Sequence, residues 1–167
     1  MEGSNLKIVL IGILVTMMLL FGCPTFLHYD DAYISLVHHF YHANIFHLAV
    51  NCLSLWALFR KGVRYSVMHL TIAYIIGTLS WFCTSADAVG FSNIIFAIVG
   101  MRTPSLKSDW WRRSNTIYFL LINLVMLILP QVSAITHIVS FSLGCFVAGA
   151  IRIFNRLNRD YRRASYC

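Results

Sequence analysis

The chain has few charged residues, and its acidic residues all lie outside the apolar segments. Only 11% of its 167 residues are charged, whereas 59% are hydrophobic, and a soluble domain is usually about a quarter charged. A domain of this size cannot bury so many apolar side chains, because small domains leave much of their surface exposed. Lipid must cover the rest, so the composition predicts an integral membrane protein.

The chain also lacks an internal repeat, a low-complexity tract and any loop long enough to hold a soluble domain. No series of segments alternates apolar and polar residues, which excludes the usual pattern of a membrane β-barrel. We therefore expect one all-α membrane domain over residues 1–167.

Six apolar segments are candidates for membrane-spanning helices, each of which needs about 20 mostly apolar residues. The approximate spans are residues 6–27, 44–59, 65–84, 90–102, 116–130 and 135–154. The fourth segment is short and begins at a glycine. The sequence therefore predicts six transmembrane helices with a short central one.

The thirteen Lys and Arg residues occupy alternate connections. Lys7 opens the first segment, and the other cations follow the second, fourth and sixth segments, where residues 155–167 form a basic tail. The remaining connections hold Asp30, Asp31 and Asp87 and no cation. Because cytoplasmic loops collect Lys and Arg, we expect both chain ends in the cytoplasm, with the protein in a bacterial cytoplasmic membrane. The clustering indicates a lipid bilayer as partner and not a nucleic acid.

Two features of the apolar segments have alternative interpretations. Residues 20–23 resemble the cleavage box of a bacterial lipoprotein, but the bulky Phe21 and the lone Lys7 favour a simple transmembrane helix. The five cysteines show no metal-ligand spacing, and we interpret them as small packing residues. We expect neither a metal nor a cofactor.

Polar side chains inside an apolar segment are candidates for function, because burying them in lipid is expensive. His47 and Asn51 are four residues apart and share a helix face near the start of the second segment. Ser92 opens the fourth segment, and His137 lies near the start of the sixth. Each residue alone also fits a structural role, since a serine in an apolar helix often bonds its own backbone.

Topology brings these side chains to a similar depth, because the second, fourth and sixth helices all run inward from the outer face. Serine and histidine together are the minimum set for nucleophilic acyl transfer. No Asp or Glu lies at that depth, so the sequence predicts a Ser–His dyad of Ser92 and His137.

The order of these motifs resembles that of the rhomboid intramembrane serine proteases, over nearly the whole chain. The matching residues are His42, His47 and Asn51 for His-x4-His-x3-Asn, Gly90 and Ser92 for Gly-x-Ser, His137 for the histidine of the sixth helix, and Gly100 and Gly144 for the glycines that follow.

The resemblance implies a six-helix rhomboid-like bundle whose short central helix carries the serine. It implies an intramembrane serine endopeptidase that cleaves transmembrane segments of other proteins, with an active site open to the extracytoplasmic side. Ser92 and His137 would be catalytic, and His47 and Asn51 would contact the oxyanion or substrate. The residues implied as structural support are His42, Gly90, Phe96, Gly100, Ser140 and Gly144.

The chain departs from the family pattern at several positions. Asn93 and Ser140 stand where glycines are usual, Phe96 replaces a tyrosine, and Tyr33-Ile34 lies near the place of a Trp-Arg pair. One alternative is therefore a catalytically inactive rhomboid-like scaffold that binds membrane clients. Another is a metal or proton transporter that uses the histidines His38, His39, His42 and His47.

Overall fold

A computed structural model describes residues 3–21, 36–59, 67–84, 89–103, 117, 121, 124 and 133–164. The helices are α1 (Gly3–Phe21), a short 3-10 helix (His38–Phe40), α2 (Ile45–Phe59), α3 (Val67–Thr84), α4 (Ser92–Arg102) and α5 (Ala134–Ala164). The described part of the chain contains no strand. The all-α prediction is confirmed for these residues.

The helices follow the predicted apolar segments closely. The starts and ends of α2, α3 and α4 lie within two residues of the predicted spans 44–59, 65–84 and 90–102. Of the predicted fifth span, Ile117, Leu121 and Leu124 are described, and all three are helical and exposed. Residues 22–27 of the predicted first span lie outside the described residues.

The last helix is longer than the apolar segment that predicted it. The expected span ended at residue 154 and was followed by a basic tail, but α5 continues to Ala164. No glycine or proline follows Gly149, and arginine is a good helix former. The basic segment therefore extends the helix through most of the predicted tail.

The outer surface of the bundle is apolar. Two described helices, Val67–Thr84 and Ala134–Arg163, are long and apolar enough to cross a membrane by length and composition. Shorter apolar helices cover Ile8–Phe21, Ile45–Leu58 and Ser92–Arg102. Large hydrophobic side chains face outward on all of these helices except Ser92–Arg102. Water disfavours contiguous exposed surface of this kind, so the exterior is suited to lipid.

The short helix α4 lies at the centre of the bundle. It has 11 residues, and every residue from Ser92 to Gly100 is buried. Such a helix is about 16 Å long, well short of the roughly 30 Å hydrocarbon core. Apolar side chains all round a helix are typical of one that is enclosed by protein, and α3 and α5 both pack against it.

The helices α4 and α5 cross with their backbones in contact. A Cβ atom at Gly100 would overlap the carbonyl oxygen of Phe141, and one at Gly144 would overlap the carbonyl oxygen of Ala97. Small residues permit such a close approach between helices in a membrane. The crossing sets where the first turns of both helices meet.

Candidate active site

Ser92 and His137 are in direct contact. Ser92 begins α4, His137 lies in the first turn of α5, and Oγ of Ser92 is 2.7 Å from Nε2 of His137. The two residues are 4% and 1% exposed. They are 45 residues apart in the chain, so only the packing of α4 on α5 brings them together. With the ring proton on Nδ1, Nε2 accepts the hydroxyl proton, as activation of a serine nucleophile requires.

Phe96 fixes the plane of the His137 ring. It lies one turn after Ser92 on α4, and its ring stacks on the imidazole with 4.5 Å between centroids and 26° between planes. A stacked aromatic pair contributes about 0.5–1.5 kcal/mol beyond its buried area. The phenyl ring therefore restricts the plane of the imidazole, and the contact of Nε2 with Ser92 defines which edge of the ring faces the serine.

The first turn of α5 is also held from both sides. The Ser133 hydroxyl accepts the backbone N–H of Thr136 at 3.3 Å, which caps the helix. The side-chain hydroxyls of Thr84 and Thr136 are 2.8 Å apart, so the end of α3 is tied to the start of α5. These contacts fix the backbone of the first turn of α5, which carries His137.

Gly90 has a backbone conformation and a setting that both require glycine. Its φ angle is +117°, a region that residues with a side chain rarely adopt. A Cβ at Gly90 would be 2.5 Å from Cε1 of His47 and 3.3 Å from Nδ2 of Asn51. His47 and Asn51 therefore lie directly against the backbone that leads into Ser92.

Both ring nitrogens of His47 and Nδ2 of Asn51 are buried and available for hydrogen bonding. Neither ring nitrogen of His47 nor Nδ2 of Asn51 has a hydrogen-bond partner among the described residues. The backbone of His47 is fixed, because the side chain of Asn44 accepts its N–H at 2.9 Å. Buried donors normally have partners, so this pair is suited to a group that enters the site.

His42 supports the same pair. It is completely buried, and its ring packs edge to face on His47 with 5.3 Å between centroids. Burial, and then the proximity of His47, lower the pKa of His42 from 6.5 to about 3. His42 is therefore neutral near pH 7 and adds no charge to the site.

His38, which the sequence connected only with a possible transporter, fixes Gly90. Its carbonyl oxygen accepts the backbone N–H of Gly90 at 3.0 Å, and its ring stacks on Trp81 of α3 with 4.7 Å between centroids. The run of histidines in this segment was the only signal in the sequence, and it did not indicate which partner each ring has.

His39 attaches the same segment to α3. The Thr78 hydroxyl donates to the carbonyl of Tyr74, so its oxygen accepts a hydrogen bond from Nε2 of His39 at 3.0 Å. Gly77 makes room for this ring, since a Cβ there would be 3.1 Å from Cε1 of His39. Burial, followed by the charge of His38, holds the pKa of His39 well below its usual value.

Two of the positions that depart from the family pattern are buried beside the serine and the histidine. Asn93 follows Ser92 and is 1% exposed, and Ser140 lies one turn after His137 and is fully buried. Tyr33 and Ile34 lie outside the described residues. Within the described ranges, no three His, Cys, Asp or Glu side chains are grouped so that they could hold a metal ion.

A protein-family model described as a Rhomboid domain matches residues 30–153, about three quarters of the chain. The chain belongs to the rhomboid family. It is also 29% identical over 124 residues to RHOMBOID-like protein 1 of Arabidopsis thaliana, a match covering 66% of this chain and 32% of the relative. The chain thus spans about a third of the length of this curated relative. No solved structure matches the chain significantly.

Membership of the rhomboid family agrees with the apolar exterior of the helices. The chain is an integral membrane protein of a family of intramembrane protease-like proteins. In the structure Ser92 contacts His137, and His47 and Asn51 lie against Gly90, two residues before Ser92.

Proposed function

We propose that this rhomboid protein is an intramembrane serine endopeptidase that cleaves transmembrane segments of other membrane proteins. The observation that carries the proposal is the 2.7 Å contact between Ser92 and His137 in a buried site. A buried serine in a helix commonly has only a structural role and donates a hydrogen bond to its own backbone, as Ser80 does to the carbonyl of Ile76. Ser92 is the first residue of α4 and instead faces a histidine on another helix.

In this mechanism Ser92 attacks the scissile carbonyl while Nε2 of His137 takes the hydroxyl proton. The protonated imidazole then gives that proton to the leaving amine, which leaves an acyl-enzyme. A water molecule attacks the ester, His137 removes its proton, and the proton returns to Ser92 as the new carboxyl terminus departs. We assign no acidic third member, because no Asp or Glu lies within an apolar segment, and the ring of Phe96 holds the plane of the imidazole.

The negative charge on the carbonyl oxygen needs hydrogen-bond donors already in place. His47, Asn51 and the backbone N–H of Ser92 are our candidates, because they converge on the Gly90 turn at the start of α4. Donors that need no rearrangement stabilise the transition state most. The buried, unused polar atoms of His47 and Asn51 support this assignment.

The proposed topology has six membrane spans, with both chain ends in the cytoplasm of a bacterial cell and the site open to the extracytoplasmic side. The cation distribution supports this arrangement. Because α4 is short and the site lies at its outer end, water can enter from that side. Family resemblance points to substrates whose helices unwind easily near small residues.

The second candidate is an inactive rhomboid-like scaffold that holds membrane clients. Asn93, Phe96 and Ser140, which replace the usual Gly, Tyr and Gly, favour it. All three are buried close to Ser92 and His137, so they alter the surroundings of the reacting groups. The retained contact between Ser92 and His137 favours the protease.

The test is labelling of detergent-solubilised protein with a fluorophosphonate probe, together with cleavage of a model transmembrane substrate. The protease predicts labelling and cleavage that Ser92→Ala abolishes. Ser80→Ala is the matched control, since Ser80 is equally buried but bonded to its own backbone. A folded protein that neither reacts with the probe nor cleaves any substrate would favour the scaffold.

A further inference from the structure

The last third of α5 extends beyond the length that a bilayer requires. The helix has 31 residues, or about 46 Å at 1.5 Å per residue, whereas the hydrocarbon core is about 30 Å thick. All described side chains from Ile151 to Arg163 are exposed. This extension therefore continues as a helix into the interfacial region, without cover from the rest of the described chain.

The extension carries a basic stripe, defined here as Arg152, Arg156, Arg159 and Arg163. These positions are four, three and four residues apart, so they fall within about 60° of one another around the helix. Residues 150–164 contain five arginines and one acidic residue, Asp160. The stripe is thus a continuous line of positive charge about three turns long.

An apolar stripe lies on the opposite side of the same turns. Ile153, Leu157 and Tyr161 follow each other at intervals of four residues, and Phe154 lies beside them. These side chains are between 63% and 75% exposed. A helix with arginines on one face and large apolar and aromatic residues on the other is typical of segments that lie at a membrane interface.

We propose that this extension binds anionic phospholipids of the adjacent leaflet, with the basic stripe on their phosphate headgroups and the apolar stripe among the upper acyl chains. The charge of the extension complements an anionic surface, which attracts basic segments close to a transmembrane helix.

The position of the stripe along α5 supports this partner. Arg152 lies 18 residues after Ala134, about 27 Å along the helix, which is close to the edge of the hydrocarbon core. Arg163 lies about 16 Å further on. The polar layer of one leaflet is about 5–8 Å thick, so Arg152 and Arg156 reach the headgroups directly, and tilting of α5 brings Arg159 and Arg163 down to them.

The test uses the full chain in vesicles, in a background without native cysteines and with Ser92→Ala, so that it does not depend on proteolysis. An environment-sensitive fluorophore on Asn158→Cys reports the surroundings of the extension. We expect a blue shift in phosphatidylglycerol vesicles relative to phosphatidylcholine vesicles, and its loss at high salt. Replacing one stripe arginine by glutamine is expected to weaken the apparent affinity for phosphatidylglycerol about fivefold.

A variant of identical composition distinguishes the effect of the two stripes from the effect of net charge. It exchanges residues 157 with 159 and 161 with 163, which breaks both stripes and keeps every charge. We expect it to lose the blue shift. An equal response in both lipids, or a full response of the exchange variant, would overturn the proposal. So would a blue shift in phosphatidylcholine vesicles produced by inorganic phosphate, or one that follows cross-linking between copies.

Discussion

Gly144 of α5 lies directly against the carbonyl oxygen of Ala97 in α4. This contact, two turns below the His137 ring, determines how closely the two helices approach and hence whether His137 reaches Ser92. Neither residue takes part in the proposed chemistry. The geometry of the reacting pair therefore depends on a crossing whose closest contacts are between backbone atoms.

The first prediction concerns this crossing. Gly144→Val places atoms where Ala97 already lies, so the helices must separate, and displacement by about 1 Å can cost roughly 10²-fold in rate. We expect cleavage and fluorophosphonate labelling to fall by at least about that factor, and the same for Gly100→Val. Gly149→Val is the matched control on the same helix, because a Cβ there has no neighbour within 4 Å. Equal activity of Gly144→Val and Gly149→Val would contradict the role of the crossing.

The second prediction concerns the aromatic contact of His137. Phe96→Leu keeps an apolar side chain but removes the stacked ring, so the imidazole loses an interaction of about 0.5–1.5 kcal/mol. We expect turnover to fall roughly two- to tenfold. Phe96→Tyr keeps the ring and should retain most of the activity, measured as kcat on the model substrate. If Phe96→Leu were as active as the native protein, stacking would not orient the histidine.

The sequence was informative about this crossing because small residues recur two turns below both Ser92 and His137. Gly100 lies eight residues after Ser92 and Gly144 seven after His137, so each glycine is about two turns along nearly the same helix face. The structure has the two helices in contact there. The helix boundaries were predictable for a similar reason, since the apolar segments are separated by charged or polar connections.

The contacts that hold Gly90 and the His38–His39 segment in place were not predictable from the sequence. The bond from His39 to Thr78 joins residues 39 positions apart, and Thr78 lies in an apolar segment where nothing distinguishes it from any other threonine. The partner of a buried histidine depends on which helix packs beside it. The helical continuation of α5 was missed for a different reason, because a drop in hydropathy marks the end of a span and not the end of a helix.

The third prediction separates chemistry from folding. His47→Ala and Asn51→Ala remove proposed oxyanion donors, and the loss of one donor typically costs roughly 10²–10³ in kcat. His42 packs edge to face on the ring of His47 and is not one of the proposed donors, so His42→Ala should mainly lower thermal stability. The measurements are kcat on the model substrate and the melting temperature of each variant in detergent. A stable but inactive His42→Ala protein would mean that these roles are wrongly assigned.

The fourth prediction concerns acid stability. The pKa of His42 is lowered from 6.5 to about 3 in the folded protein. Between pH 6.5 and pH 3, His42 is therefore protonated in the unfolded chain and neutral in the folded chain. The resulting stabilisation is complete above pH 6.5 and is lost as the pH falls towards 3. One such group changes the free energy of unfolding by at most about 1.4 kcal/mol per pH unit.

We therefore expect the melting temperature in detergent to fall between pH 7 and pH 5, and to fall less steeply in His42→Gln. The variant must be compared with its own value at pH 7, because the substitution also changes packing. His39, whose pKa is lowered by burial as well, is expected to keep part of the pH dependence in that variant. An unchanged slope in His42→Gln would show that His42 does not titrate between the folded and unfolded states.

The last prediction concerns orientation. All thirteen Lys and Arg residues lie at the span ends or in the connections that we assign to the cytoplasm, and the connection around Asp87 contains none. Since cytoplasmic loops collect such cations, a membrane-impermeant maleimide added to intact cells should label Asp87→Cys and not Lys107→Cys, each in a background without native cysteines. Permeabilised cells provide the control, because both positions should then react. The reverse pattern in intact cells would put the outer ends of α2, α4 and α5 in the cytoplasm, and the proposed extracytoplasmic opening of the site would be wrong even if Ser92 remained reactive.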